Sequence, residues 1–112
     1  MAEDLVAAYE QIIRRAHAHG IRVYGATITP FHGSGYSDAA GYREAARQRV
    51  NAWIRTSGRF DAVLDFDAAV RDAADPRALR PDLVFQNDGL HLNPAGYALL
   101  AEAIPLRLFV RR

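Results

Sequence analysis

Cysteine is absent from the 112-residue chain, and so is lysine. The first absence excludes disulfides, thiolate catalysis and cysteine-ligated metal sites, without choosing between cytosol and exterior. The second leaves all fourteen basic residues as arginine. Together with the abundance of alanine, that reads as a coding bias rather than a binding surface. The formal charge is only +1 and no basic run occurs, so nucleic acid and anionic membranes find no electrostatic footprint. No apolar run approaches a membrane span. The opening MAEDLV lacks the pattern of a secretory signal. What is present is ample apolar material: half of the residues are hydrophobic, enough for a folded core. The length suits one small domain.

Hydrophobic spacing predicts a first helix from about Asp4, read as its N-cap, to His19, with Leu5, Tyr9, Ile12, Ile13 and Ala16 on one face. Glu10 and Arg14 are placed to pair one turn apart, and Gly20 is a stop signal. The segment Ile21–Thr29, "IRVYGATIT", is β-rich and nearly uncharged, as expected of a parallel strand covered on both faces, and Pro30 ends it. A glycine-rich loop, "FHGSGYS", follows. A second helix is expected from about Asp38 to Thr56, with Ser37 as its cap and Tyr42, Ala46, Val50, Trp53 and Ile54 inward. "AVLDF", Ala62–Phe66, reads as a second buried strand, followed by a helical turn around Ala68–Asp72. A last helix should start at Asn93 as N-cap and Pro94 as first residue, with Tyr97, Leu100, Ala101 and Ile104 inward. Helices alternating with strands predict an α/β chain with a parallel sheet. No internal repeat, low-complexity tract or linker interrupts it.

The chemistry concentrates in "QNDGLHLNPAGYALL", Gln86–Leu100. Asp88 stands three residues before His91. Across a tight turn, eased by Gly89, the carboxylate can reach the imidazole Nδ1. It would fix the tautomer and stabilise the imidazolium formed when Nε2 takes a proton. By itself an Asp-x-x-His turn is also compatible with a plain solvated loop at a helix start.

The surrounding residues add weight. "DGLHLNPAGY", near the C-terminus after alternating strands and helices, resembles the last block of the SGNH hydrolases, also called GDSL esterases or lipases. "AHGIRVYGATITPF" resembles that family's fourth strand and the loop after it, and "VNAWIRTSGRFDAVLDFDAAVRD" its next helix and fifth strand. The resemblance implies a flavodoxin-like three-layer α/β fold with a parallel sheet. Of that fold, only the C-terminal part, about two strands and three helices, would lie in residues 1–112. It implies that Asp88 and His91 are the catalytic acid and base, and that Phe31, His32 and Tyr36 line the substrate cleft. It also implies a serine nucleophile in a Gly-Asp-Ser block and an oxyanion hole completed by a Gly and by an Asn in a Gly-x-Asn-Asp-like block. None of these blocks is in the chain. Asn51, Asn87 and Asn93 all follow the first helix, on the wrong side for the oxyanion block. The serine is therefore expected upstream of residue 1; many relatives are exported, while the compartment of this parent stays open. The implied reaction is carboxylic-ester hydrolysis through an acyl-enzyme, on a small ester or an acetylated carbohydrate. No cofactor and no metal are implied.

Local substitutes for the serine are weak. Ser34 sits in "GSG" with no strand–turn–helix frame and reads as a turn residue; Ser57 reads as a helix-end residue. His17 and His19, two apart on a helix, face different ways and form no metal pair. Asp65 and Asp67 suit loop and cap roles, and Trp53 the core. Two other readings stay open: a catalytically inactive remnant, and a half that assembles with a nucleophile-bearing chain. Loss of a flanking strand would leave one edge of "IRVYGATIT" open to self-association.

Overall fold

The computed structural model describes residues 1–110. Residues 1–28 with 38–64 form one compact unit, and residues 29–37 with 65 onward form the other.

In the first unit, α1 (Ala2–Ala18) carries Glu3 and Asp4 in its opening turn, where negative charge suits the helix dipole. Asp4 is thus inside the helix, and Met1 holds the cap position without a side-chain bond. Glu10, expected to pair with Arg14, instead meets Arg59 Nε at 3.5 Å. The strand β1 is confined to Tyr24–Ala26. It pairs in parallel with β2 (Ala62–Leu64), Gly25 opposite Val63. Two strands form the whole sheet among the described residues. Neither is sealed on both faces as the sequence suggested: Ala26 is exposed and Val63 is 39% exposed. A strand needs a layer on each face to be covered, and this unit supplies few residues to do it.

Between the strands runs α2 (Tyr42–Thr56). Ser37 is not its cap. The Asp38 carboxylate accepts from the N–H groups of Tyr42 at 2.8 Å and Arg43 at 3.0 Å, satisfying two of the helix's orphan donors. Its inner face is also rotated from expectation, because Tyr42 is 74% exposed while Arg47, Val50, Asn51 and Ile54 are buried. The buried polar pair has a definite task. Asn51 accepts from the Ile28 N–H at 2.7 Å and donates to the Ile28 carbonyl at 2.9 Å. Arg47 Nη1 donates to the same carbonyl at 3.1 Å, while Glu44 takes its Nε and Nη2. The backbone just past β1 is thereby satisfied by side chains where the ladder has ended. Around this, Ala2, Val50 and Ile54 pack with Leu5, Tyr9, Trp53 and Phe60. The three aromatic rings meet with centroids 5.7–6.4 Å apart, worth about 0.5–1.5 kcal/mol per pair beyond burial.

The second unit begins its helical part at α3 (Phe66–Val70), whose N-cap Asp65 accepts from Ala68 N–H at 3.1 Å. Asp67 is buried against Arg71, 2.8 Å away. A 3-10 turn at Pro81–Leu83 leads to α4 (Pro94–Glu102), and another 3-10 turn covers Leu106–Phe109. Val70, Leu79, Leu83 and Leu92 form this core, joined by Leu99 and Leu100. Tyr97 and Ala101, expected inward, are exposed. Gly96 takes the inward position: a Cβ there would stand 2.8 Å from the Leu92 side chain and 3.1 Å from the Leu83 carbonyl. Its lack of a side chain lets α4 lie directly on the Leu83–Leu92 core. No helix among the described residues is long and apolar enough to cross a membrane.

Candidate active site

Asp88 and His91 lie at the tip of a loop closed by the second unit's own backbone. Val84 and Leu92 form an antiparallel bridge, and Phe85 N–H donates to the His91 carbonyl at 2.8 Å. Below the tip, Asn93 N–H donates to the Leu83 carbonyl at 2.8 Å. The Asn93 side chain caps α4 by accepting from Gly96 N–H at 3.0 Å, and its amide donates to the Asp82 carbonyl at 2.8 Å. The "NPAG" that starts the helix therefore also clamps the base of the loop.

At the tip, Gln86 and Asn87 take the left-handed conformation, φ 51° and 55°, and Gly89 follows at φ 71°. The first two positions are unusual for non-glycine residues. At Gly89 a side chain is barred twice over, since a Cβ would also stand 2.9 Å from the backbone of Gly33 and Ser34. The glycine-rich loop thus packs backbone to backbone on the turn that carries Asp88 and His91.

Asp88 Oδ1 accepts from Leu90 N–H and His91 N–H, each at 2.8 Å, while Oδ2 lies 2.5 Å from His91 Nδ1. The imidazole N–H beside it, followed by these two backbone N–H groups, lowers the Asp88 carboxyl from its ordinary 3.8 to about 2. The carboxylate is charged at neutral pH and fixed by three donors. With Nδ1 donating to it, His91 keeps Nε2 as a proton acceptor. Nε2 has no protein partner among the described residues, and the His91 side chain is 63% exposed.

An open hollow adjoins the pair, lined by Phe85, Gln86, Asp88, His91, Leu92, Pro94 and Tyr97. Apart from Asp88 and His91, the sequence marked none of these wall residues as lining a site: Pro94 and Tyr97 read only as parts of the last helix, and the loop closure that gathers the wall depends on the Val84–Leu92 bridge. Phe31, His32 and Tyr36 are not in that wall. Phe31 is half-buried, with its carbonyl accepting from the hydroxyls of Ser34 at 2.6 Å and Ser37 at 3.0 Å. His32 N–H donates to the Arg77 carbonyl at 3.1 Å, and Tyr36 is exposed. Ser34 holds its own turn, also accepting from Tyr36 N–H at 3.1 Å. Among the described residues, no three His, Asp or Glu side chains are placed to share a metal ion.

A solved structure of a candidate acylhydrolase from Bacteroides fragilis superimposes with a TM-score of 0.67 at 20% identity, over 92% of this chain and 49% of that one. That likeness concerns the fold, and the chain spans about half the length of the matched structure. No curated protein matches the sequence significantly. The profile of the GDSL-like lipase/acylhydrolase family matches residues 1–99, nearly the whole α/β chain and the Asp88–His91 turn with it, and the chain belongs to that family.

Proposed function

We propose that this chain is the C-terminal, acid–base portion of a serine carboxylic-ester hydrolase domain. The nucleophile and oxyanion donors would come from polypeptide outside it. The observation that carries the reading is the 2.5 Å contact of His91 Nδ1 with Asp88 Oδ2, which leaves Nε2 exposed. A serine hydroxyl presented to Nε2 would lose its proton there as it attacked the ester carbonyl. His91 would then return that proton to the leaving alcohol, and Asp88 would hold the tautomer and balance the imidazolium. The substrate is a small ester or an acetylated carbohydrate. Phe31, His32 and Tyr36, on the loop that packs against Gly89, border the wider cleft.

The test compares the chain alone with a domain made by joining it to a matching N-terminal half. p-Nitrophenyl acetate hydrolysis by the chain alone should not exceed that by free imidazole, because loss of the nucleophile costs roughly 10⁴–10⁶ in triad enzymes. The joined domain should turn over saturably. Saturable turnover by the chain alone, abolished by Ser34→Ala, would overturn the assignment.

The half that assembles with other chains has one specific observation in its favour. Among the described residues β1 has a strand neighbour on one side only, and such edges recruit strands. Sedimentation at micromolar concentration should show dimers or larger species; a cooperative, compact monomer would contradict this.

A further inference from the structure

We infer that the hollow beside His91 is a subsite for the alcohol portion of the ester, built for an uncharged apolar group. The inference rests on the acid–base reading of Asp88 and His91 and adds what the substrate must look like next to them. His91 is itself part of the wall. In an acyl-enzyme route the imidazolium delivers its proton to the leaving oxygen, so the first atoms of the alcohol lie against that ring. A hollow sharing His91 as a wall therefore takes the alcohol rather than the acyl group.

The remaining wall sets the chemistry. Phe85, Leu92, Pro94 and Tyr97 are apolar or aromatic, and Phe85 and Tyr97 are 47% and 55% exposed. Among the described residues no arginine lines the hollow, although every basic side chain of the chain other than histidine is an arginine. The one carboxylate, Asp88, is occupied by the N–H groups of Leu90 and His91 and by His91 Nδ1. Among the described lining residues an anionic alcohol would find no permanent cation, and a polyhydroxylated one only the Gln86 amide, the Tyr97 hydroxyl and His91 itself, so of the two substrate classes this wall favours the small ester over the acetylated carbohydrate. The loop also holds this wall in an uncommon backbone state. Gln86 and Asn87, both at positive φ, reverse the chain between Phe85 and His91, and Phe85 N–H closes onto the His91 carbonyl. Strained positions of this kind gather at functional sites.

The experiment is a titration of the full ¹⁵N-labelled chain, followed by amide shifts, with benzyl alcohol, methyl glucoside and choline as separate probes. Benzyl alcohol should saturably shift the amides of Gln86, Leu92 and Tyr97, and the other two should not. Tyr97→Ala, on an exposed helix face, should weaken benzyl alcohol binding roughly three- to tenfold, as for loss of one aromatic contact. Equal shifts from methyl glucoside or choline at these amides, benzyl alcohol shifts confined to other residues, or unchanged binding by Tyr97→Ala would overturn the subsite. The titration needs no nucleophile, so it succeeds or fails independently of the hydrolysis test.

Discussion

Among the described residues two histidines lie in direct contact with a carboxylate, and the two pairs are built in opposite ways. His17 Nε2 lies 2.7 Å from Asp61 Oδ2, across 44 residues, and the same oxygen accepts from Val23 N–H at 2.7 Å. His91 uses Nδ1 instead, reaching an aspartate three residues away. The chemistry of the two contacts is nearly the same, but the nitrogen left over differs. In His17 the outer nitrogen is consumed, and what remains is Nδ1, close to its own main chain. In His91 the inner nitrogen is consumed and the outer one faces solvent. The first pair ties the end of α1 to the start of β2 and β1. The second leaves Nε2 without a protein partner among the described residues. A histidine beside an aspartate is therefore not by itself a catalytic sign, and the two pairs differ in which nitrogen the carboxylate takes.

The largest effect that sharpens this contrast is on turnover in the joined domain. His91→Ala should lower kcat by roughly 10³–10⁶, whereas His17→Ala should leave kcat within about twofold and lower the melting temperature slightly, as for an exposed ion pair. Steady-state kinetics with matched melting curves checks both, and equal losses would erase the distinction.

Next in size is the turn itself. Gly89→Ala puts a side chain at positive φ and against the backbone of Gly33 and Ser34, so it should destabilise by about 2 kcal/mol or more. Gly96→Ala gains helix propensity but meets Leu92; it should cost about 1 kcal/mol net. Urea midpoints of the two variants give the comparison directly, and a neutral Gly89→Ala would contradict the close packing under the Asp88–His91 turn.

The smallest effect is the acid response. The Asp88 carboxyl is lowered to about 2 by its His91 contact, then by the Leu90 and His91 N–H groups. Asp61 is lowered too, first by Val23 N–H and then by His17. A lowered folded value means that the stabilisation is present above the ordinary value and is lost as pH falls through the folded one. For Asp88 that window runs from about 4 down to about 2. Both carboxylates are exposed, so solvent screening keeps the contribution modest. The stability difference between wild type and Asp88→Asn should shrink across that window, as read by urea unfolding at successive pH values; a difference that grows on acidification would reverse the sign of the account.

The sequence made the ends of the site legible and left its middle obscure. Asn93 and Pro94 were readable as the start of α4 because capping is local chemistry. The spacing of Asp88 and His91 was readable because three residues across a turn bring carboxylate and ring together. Gly96 had no rationale until the Leu83–Leu92 core was seen beneath it. Phe85 carried no signal and Tyr97 read as part of the inner face of α4, since the bridge that gathers them is long-range. The strands were overestimated for a related reason: "IRVYGATIT" carries the apolar content of a fully covered strand, but the strand itself is confined to Tyr24–Ala26. The carbonyl and N–H of Ile28 are taken by Asn51 and Arg47 instead, buried polar residues that helical periodicity had not marked as inward.

The acid–base claim is tested most directly by a double-mutant cycle on kcat in the joined domain, with Asp88→Asn, His91→Ala and their combination. Asparagine keeps an oxygen for the Leu90 and His91 N–H groups but offers no carboxylate to Nδ1, so the turn survives while the tautomer is lost. If Asp88 acts only through His91, the double variant should be about as slow as His91→Ala alone, with all melting temperatures close to wild type. Losses that multiply independently, or that track unfolding, would make Asp88 and His91 a structural turn and not the acid–base pair of a hydrolase.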